Sequence, residues 1–116
     1  MSTKQVGDNN ETIALEFLEQ HKLELVTRNF KVNDGEIDLI MRHRDYWVFV
    51  EVKYRANNHF RDVKEILTTE QRARIRRTAR LFLYQHQINE HDTRCRFDFV
   101  GVTGKPFEIE WLQDAF

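Results

Sequence analysis

Gly35-Glu36-Ile37-Asp38-Leu39-Ile40-Met41 and Tyr46-Trp47-Val48-Phe49-Val50-Glu51-Val52-Lys53-Tyr54 are the two runs that decide the fold. The second is rich in β-branched and aromatic residues and reads as the strongest strand in the chain. Arg42 to Asp45, all polar, separate it from a strand over 36–41, and the pair predicts an antiparallel hairpin. Alternation places Trp47, Phe49, Glu51 and Lys53 on one face of the strand and Val48, Val50 and Val52 on the other. On the preceding strand it puts Glu36 and Asp38 together, opposite Ile37 and Leu39. If the register joins the charged faces, Asp38, Glu51 and Lys53 meet where so apolar a strand should be dry.

Working outward, residues 23–32 (LELVTRNFKV) favour a strand, and Asn33-Asp34-Gly35 signals a turn. Residues 8–21 carry a helical pattern, with Asp8 and Glu11 as an N-terminal capping pair and Ile13, Ala14, Phe17 and Leu18 on one apolar face. Downstream, residues 55–62 are polar and read as a mobile loop. Thr68 or Thr69 caps a long helix running to about residue 87, with Ile75, Ala79, Phe82 and Leu83 inward. Residues 94–103 contain another strand, RFDFVGV, followed by a turn at Gly104-Lys105-Pro106 and a short strand over 107–112. The order α-β-β-β-α-β-β is α/β in content, with a mixed central sheet flanked by helices. Breakers are few and no repeat or linker is visible, so the expectation is one domain over residues 1–116.

Composition bounds the partners. The 116 residues carry 18 Lys/Arg and 19 Asp/Glu, a net charge of −1, with 32% charged and 41% hydrophobic residues. That balance excludes a disordered tail, a collagen-like repeat and a uniformly basic nucleic-acid coat. No apolar run approaches the roughly 18–20 residues that span a bilayer, so no membrane partner is expected. The N-terminus lacks the apolar stretch of a secretory signal. Cys95, the one cysteine, cannot form an internal disulfide, and a cytoplasmic location is the simplest expectation. The charge is nevertheless uneven. Residues 71–89 hold Arg72, Arg74, Arg76, Arg77 and Arg80 and no acid. Such a stripe on an otherwise acidic chain can face a polyanion.

Burying an unpaired carboxylate costs several kcal/mol, so Asp38 and Glu51 require compensation. An ion pair of Glu51 or Asp38 with Lys53 would supply it. So would a divalent cation held by Asp38 and Glu51, because Mg²⁺ and Mn²⁺ favour one or two carboxylates completed by water and phosphate oxygens. Such an ion lowers the pKa of bound water and offsets charge on a phosphodiester, and Lys53 would orient the attacking water or stabilise the transition state. The pattern alone leaves both readings open.

At these residues the chain resembles the YraN family of small bacterial proteins. The resemblance rests on Gly35-Glu36-Ile37-Asp38-Leu39-Ile40 and Val48-Phe49-Val50-Glu51-Val52-Lys53-Tyr54-Arg55. It extends through Gly7, Glu11, Ala14 and Phe17-Leu18, Arg28-Asn29, Arg96-Phe97-Asp98 and the closing Asp114-Ala115-Phe116. It implies the restriction-endonuclease-like, PD-(D/E)xK nuclease fold, with a core similar to archaeal Holliday-junction resolvases. It implies Asp38 and Glu51 as metal ligands for Mg²⁺ or Mn²⁺, Lys53 as the lysine beside them, and Glu11 as the first-helix glutamate facing the metal. Ile37 stands where the superfamily's proline would be, and Gln71 where relatives often carry a lysine. The expected activity is phosphodiester hydrolysis in DNA, structured or branched. The alternative is a nucleic-acid-binding or assembly module on the same fold without useful catalysis. By fold-level analogy with resolvases, a second copy of the chain is a candidate partner.

The remaining candidates carry competing readings. Glu11 completes a cap with Asp8 or joins the site. Glu36 shares the face of Asp38 but can simply close the turn. Arg72, Arg76 and Arg80 are spaced to line one helix face and are candidate phosphate contacts, against a solvated surface as the plainer reading. Arg55 opens a loop that would border a substrate groove. His86, His91 and Cys95 match no zinc signature, and Asp98 is expected to pair with a nearby arginine.

Overall fold

The computed structural model describes residues 3–55, 63–104 and 107–116. Helix α1 spans Thr3–Gln20, followed by strands β1 (Glu24–Val32), β2 (Gly35–His43) and β3 (Tyr46–Arg55). Helices α2 (Val63–Ile66) and α3 (Thr69–Gln85) then lead, through a 3₁₀ turn at Glu90–Asp92, to β4 (Arg94–Thr103) and β5 (Glu108–Leu112). The five strands form one sheet in the order β1-β2-β3-β4-β5. Only β3 and β4 are parallel among these neighbours, and the α2–α3 segment makes the crossover between them. The α/β content and the mixed, helix-flanked sheet agree with the sequence pattern.

Each face of the sheet is closed by one long helix. Ala14, Leu15 and Leu18 of α1 pack on Leu39, Met41, Val48, Val50, Val100 and Val102. Ile75, Ala79, Phe82 and Leu83 of α3 pack on Ile37, Ile40, Phe49, Phe97 and Phe99. The hairpin between β2 and β3 is tighter than its polar tetrapeptide suggests: His43 pairs with Tyr46, leaving Arg44 and Asp45 as a two-residue turn. Arg44 sits there at φ 57°, the left-handed geometry that matches strand twist in such turns. Of the described residues, no helix is long and apolar enough to cross a membrane.

The helix ends show which local signals were decisive. Thr68 caps α3: its hydroxyl accepts from the Gln71 amide at 3.0 Å, while Gln71 Oε1 accepts from the Thr68 amide at 2.8 Å. The helix closes with Gln87 in left-handed geometry, the Ile88 and Gln87 amides donating back to the Leu83 and Tyr84 carbonyls. Lys22 ends α1 in the same manner. The start of α1 departs from the expectation. The helix begins at Thr3, so Asp8 and Glu11 lie inside it and form no N-terminal cap. The expected loop over 56–62 and the turn at Lys105-Pro106 lie outside the described residues.

Gly35, at the start of β2, meets α3 too closely for a side chain. A Cβ there would lie 2.0 Å from Thr78 Oγ1, and Thr78 is itself buried and bonded to the Arg74 carbonyl at 2.8 Å. Gly35→Ala is therefore expected to destabilise the chain by about 1–3 kcal/mol through overpacking. Urea melts check this, and Thr78→Ala in the same chain should recover much of the loss.

Candidate active site

The hairpin ladder breaks where the charges gather. β2 and β3 pair regularly from His43 opposite Tyr46 to Leu39 opposite Val50, and there the register ends. The next β2 residue, Asp38, uses its side chain instead: Oδ2 accepts the Val52 amide at 2.8 Å. A carboxylate thus takes the place a backbone carbonyl would fill, which satisfies the Val52 donor and anchors Asp38 beside β3.

Glu51 meets Asp38 from the face turned to α3. Its carboxyl is pushed up to about 9, first by burial, then by the Asp38 charge and a hydrogen bond to Asp38. Burial and the neighbouring carboxylate both favour the protonated form of Glu51 at neutral pH. Lys53 Nζ lies 3.9 Å from Glu51 Oε1 and opposes the shift without cancelling it. Glu36, on the rim, adds to it. Asp38, Glu51 and Lys53 are therefore brought together.

The alternation itself was misread on β2. Ile37 packs on the α3 side and Leu39 on the α1 side, although they are two residues apart. The strand rotates between them, at Asp38.

Glu51 and Lys53 line a cleft of about 430 Å³ with Lys31, Glu36, Gln71, Arg74 and others. Lys31 and Arg74 are cationic walls that the sequence reading did not single out. Arg74 was legible as an i−1 neighbour of Ile75 and i+3 from Gln71, hence near the inward face of α3. Lys31 follows Phe30 at the end of β1 and gave no signal of its own.

The other candidate residues stand elsewhere. Glu11 is held by Arg28 of β1 at 3.8 Å, and Arg28 also donates to Thr12 Oγ1 at 3.1 Å. Arg28 pairs with Leu39, so Glu11 approaches the sheet from the α1 side at the level of Asp38. The arginine stripe is occupied rather than open. Arg72 donates to Thr69 Oγ1 at 3.1 Å. Arg76 lies over the Phe97 ring at 4.6 Å and donates to the Phe116 carbonyl. Arg80 pairs with Glu90 at 3.3 Å. Arg76 and Arg80 line a different cavity, over Phe49, Cys95 and Phe97, and not the carboxyl cleft. Arg55 ends β3 exposed. Burial, then the Glu90 charge, pushes the Cys95 thiol up, which disfavours its thiolate.

Among the described residues, no group of three or more His, Cys, Asp or Glu is spaced to hold a metal ion. The cleft presents the Glu51 carboxyl, backed by Asp38, with Asp34 and Glu36 and the cations Lys31, Lys53 and Arg74 around it.

Over nearly its whole length the chain is similar to a UPF0102 protein of Idiomarina loihiensis, 41% identical over 110 residues covering 95% of each chain. It is likewise similar to one of Shewanella oneidensis, 45% identical over 111 residues, covering 96% of this chain and 98% of the other. A third, from Aliivibrio fischeri, is 39% identical over 109 residues, covering 94% and 89%. The family model for "Uncharacterised protein family UPF0102" matches residues 10–102. The chain therefore belongs to UPF0102, the YraN-like family.

Proposed function

We propose that this chain is a divalent-metal-dependent nuclease of restriction-endonuclease-like core, hydrolysing phosphodiester bonds in DNA, structured or branched. The observation that carries the reading is the meeting of the Asp38 and Glu51 carboxyls, with Lys53 Nζ 3.9 Å from Glu51, where Glu51 and Lys53 line a cleft with Lys31 and Arg74. The donor set suits Mg²⁺ or Mn²⁺. Both groups are hard carboxylate oxygens, and their mutual repulsion is now relieved by a proton that a cation would replace. Two carboxylates suffice when water and substrate oxygens complete the shell. Asp38 and Glu51 would hold the ion, which when bound supplies Lewis-acid polarisation and a more acidic water.

The chain's own side chains do the rest. The Val52 amide fixes the direction of the Asp38 carboxylate. Lys53, half-exposed at the cleft edge, places a positive charge where a phosphoryl oxygen gathers negative charge. Lys31 and Arg74 offer phosphate contacts, and Arg74 pairs with exposed Glu70 at 3.4 Å, a pair a polyanion can displace. Arg72, Arg76, Arg80 and Arg55 belong, on this reading, to a more peripheral contact surface.

Cleavage of linear, branched and single-stranded DNA in Mn²⁺ tests the reading. Wild type should nick at least one substrate, and Asp38→Ala and Lys53→Ala should not. Salt-sensitive binding with no cleavage in any metal would instead establish the binding-module alternative.

A further inference from the structure

A second irregularity sits beside Asp38, on the neighbouring strand. Asn29 lies in the middle of β1 at φ 53°, a left-handed conformation foreign to a strand interior. The register of β1 against β2 runs from Arg28 opposite Leu39 to Phe30 opposite Ile37, and Asn29 and Asp38 face each other in the gap without entering it. Each strand skips one residue there, so the pairing resumes in step.

Both strands change face at that point. Arg28 reaches Thr12 on the α1 side, yet Phe30 packs edge-on against Phe82 of α3, ring centres 5.2 Å apart. Leu39 belongs to the α1 side and Ile37 to the α3 side. Residues two apart share a face in a regular strand. A left-handed residue between Arg28 and Phe30 is what reverses β1, and β2 must follow to keep its partners. The rotation of β2 at Asp38 is what turns the carboxylate to the Val52 amide.

We infer that Asn29 is a positioning residue: its left-handed backbone sets the twin kink that aims the Asp38 carboxylate at Val52 and at Glu51. That Asp38 holds a metal rests on the nuclease reading above; that Asn29 aims it does not. Asparagine and glycine tolerate this conformation, whereas alanine resists it and a β-branched residue resists it more. The side chain at 29 therefore matters only through the backbone it permits.

Amide hydrogen exchange and ¹⁵N spectra of Val52, with Val50 as the internal reference, give the test. Asp38→Ala should abolish Val52 protection selectively, which establishes that the carboxylate is its acceptor. Asn29→Gly should leave the Val52 shift and protection as in wild type, and Asn29→Ala should lower that protection about tenfold while Val50 is unmoved. Equal Val52 protection in the glycine and alanine variants would overturn the inference. If Asn29→Ala does not fold, Asn29→Gly decides, since loss of Val52 protection there would place the effect in the asparagine side chain. Mn²⁺ titration separates the two claims. An affinity about tenfold weaker in Asn29→Ala, with Asn29→Gly unchanged, supports both. No Mn²⁺ binding by any form, with the Val52 pattern as expected, sinks the metal reading and leaves the positioning role standing.

Discussion

Asp98→Ala should lose about 3–5 kcal/mol of stability, a large share of what a chain of this size commonly has. Asp98 is completely buried and Arg96 is 8% exposed. Arg96 grips the carboxylate with both ends of its fork, Nε to Oδ1 at 2.9 Å and an Nη to Oδ2 at 3.0 Å. Two more donors complete it: Trp111 Nε1 to Oδ2 and the Asp114 amide to Oδ1, each at 2.9 Å. Those two belong to β5 and the segment after it, so one carboxylate ties the end of the chain to the centre of the sheet. Removing it leaves the Arg96 charge buried against His43, which approaches it at 3.0 Å, and against the Tyr46 ring. His43, whose pKa burial and then the Arg96 and Arg44 charges lower, is a neutral partner there and cannot replace the lost anion. The loss reflects the stranded partner more than the worth of the pair, so Arg96→Met with Asp98→Ala should cost clearly less than the two single changes summed. Urea unfolding of the four proteins measures this. A change below about 1 kcal/mol for Asp98→Ala would show that the cluster contributes no such constraint.

The opposite sign is expected at Glu51. Its carboxyl is raised to about 9 from an ordinary 4.5, so the folded chain keeps a proton that the unfolded chain releases. Below pH 4.5 both states are protonated and the group is neutral to stability. Between pH 4.5 and 9 the folded state binds more protons, and stability falls as pH rises. Glu51→Gln cannot ionise, keeps the shape and escapes that loss. It should therefore gain on wild type with rising pH, by about 2–4 kcal/mol between pH 5 and pH 8 in chelator. Millimolar Mn²⁺ at pH 8 should raise the wild-type melting temperature and leave Glu51→Gln nearly unmoved, since only an ionised pair gains from the cation. A stability difference flat across pH would mean that folded Glu51 holds no such proton.

Signals confined to one element were read correctly. Thr68 or Thr69 announced the start of α3, where Thr68 proves to be the cap, and the spacing of Ile75, Ala79, Phe82 and Leu83 announced its buried face. The hairpin, and Glu51 and Lys53 on one face of β3, followed from period-two counting, because β3 is regular throughout. Non-local events escaped it. The kink at Asp38 is imposed jointly with Asn29, nine residues back, and no alternation rule applied to β2 alone contains it. Part of the arginine stripe looked free because two of its partners are distant in sequence: Asp34 lies 3.9 Å from Arg77, and the Phe116 carbonyl accepts from Arg76. Asp8 and Glu11 resembled a cap, yet the helix nucleates earlier and carries both inside. Arg96–Asp98 was legible as a pairing, but its grip on Trp111 and Asp114 was not.

The account centres on the Asp38–Glu51 pair, and a crystal soaked in Mn²⁺ at pH 8 tests it most directly. Anomalous diffraction should place one manganese between the two carboxylates, with the Val52 amide still donating to Asp38 and Lys53 facing the ion's water shell. Saturating Mn²⁺ that leaves no peak there, with Glu51 still hydrogen-bonded to Asp38, would contradict it.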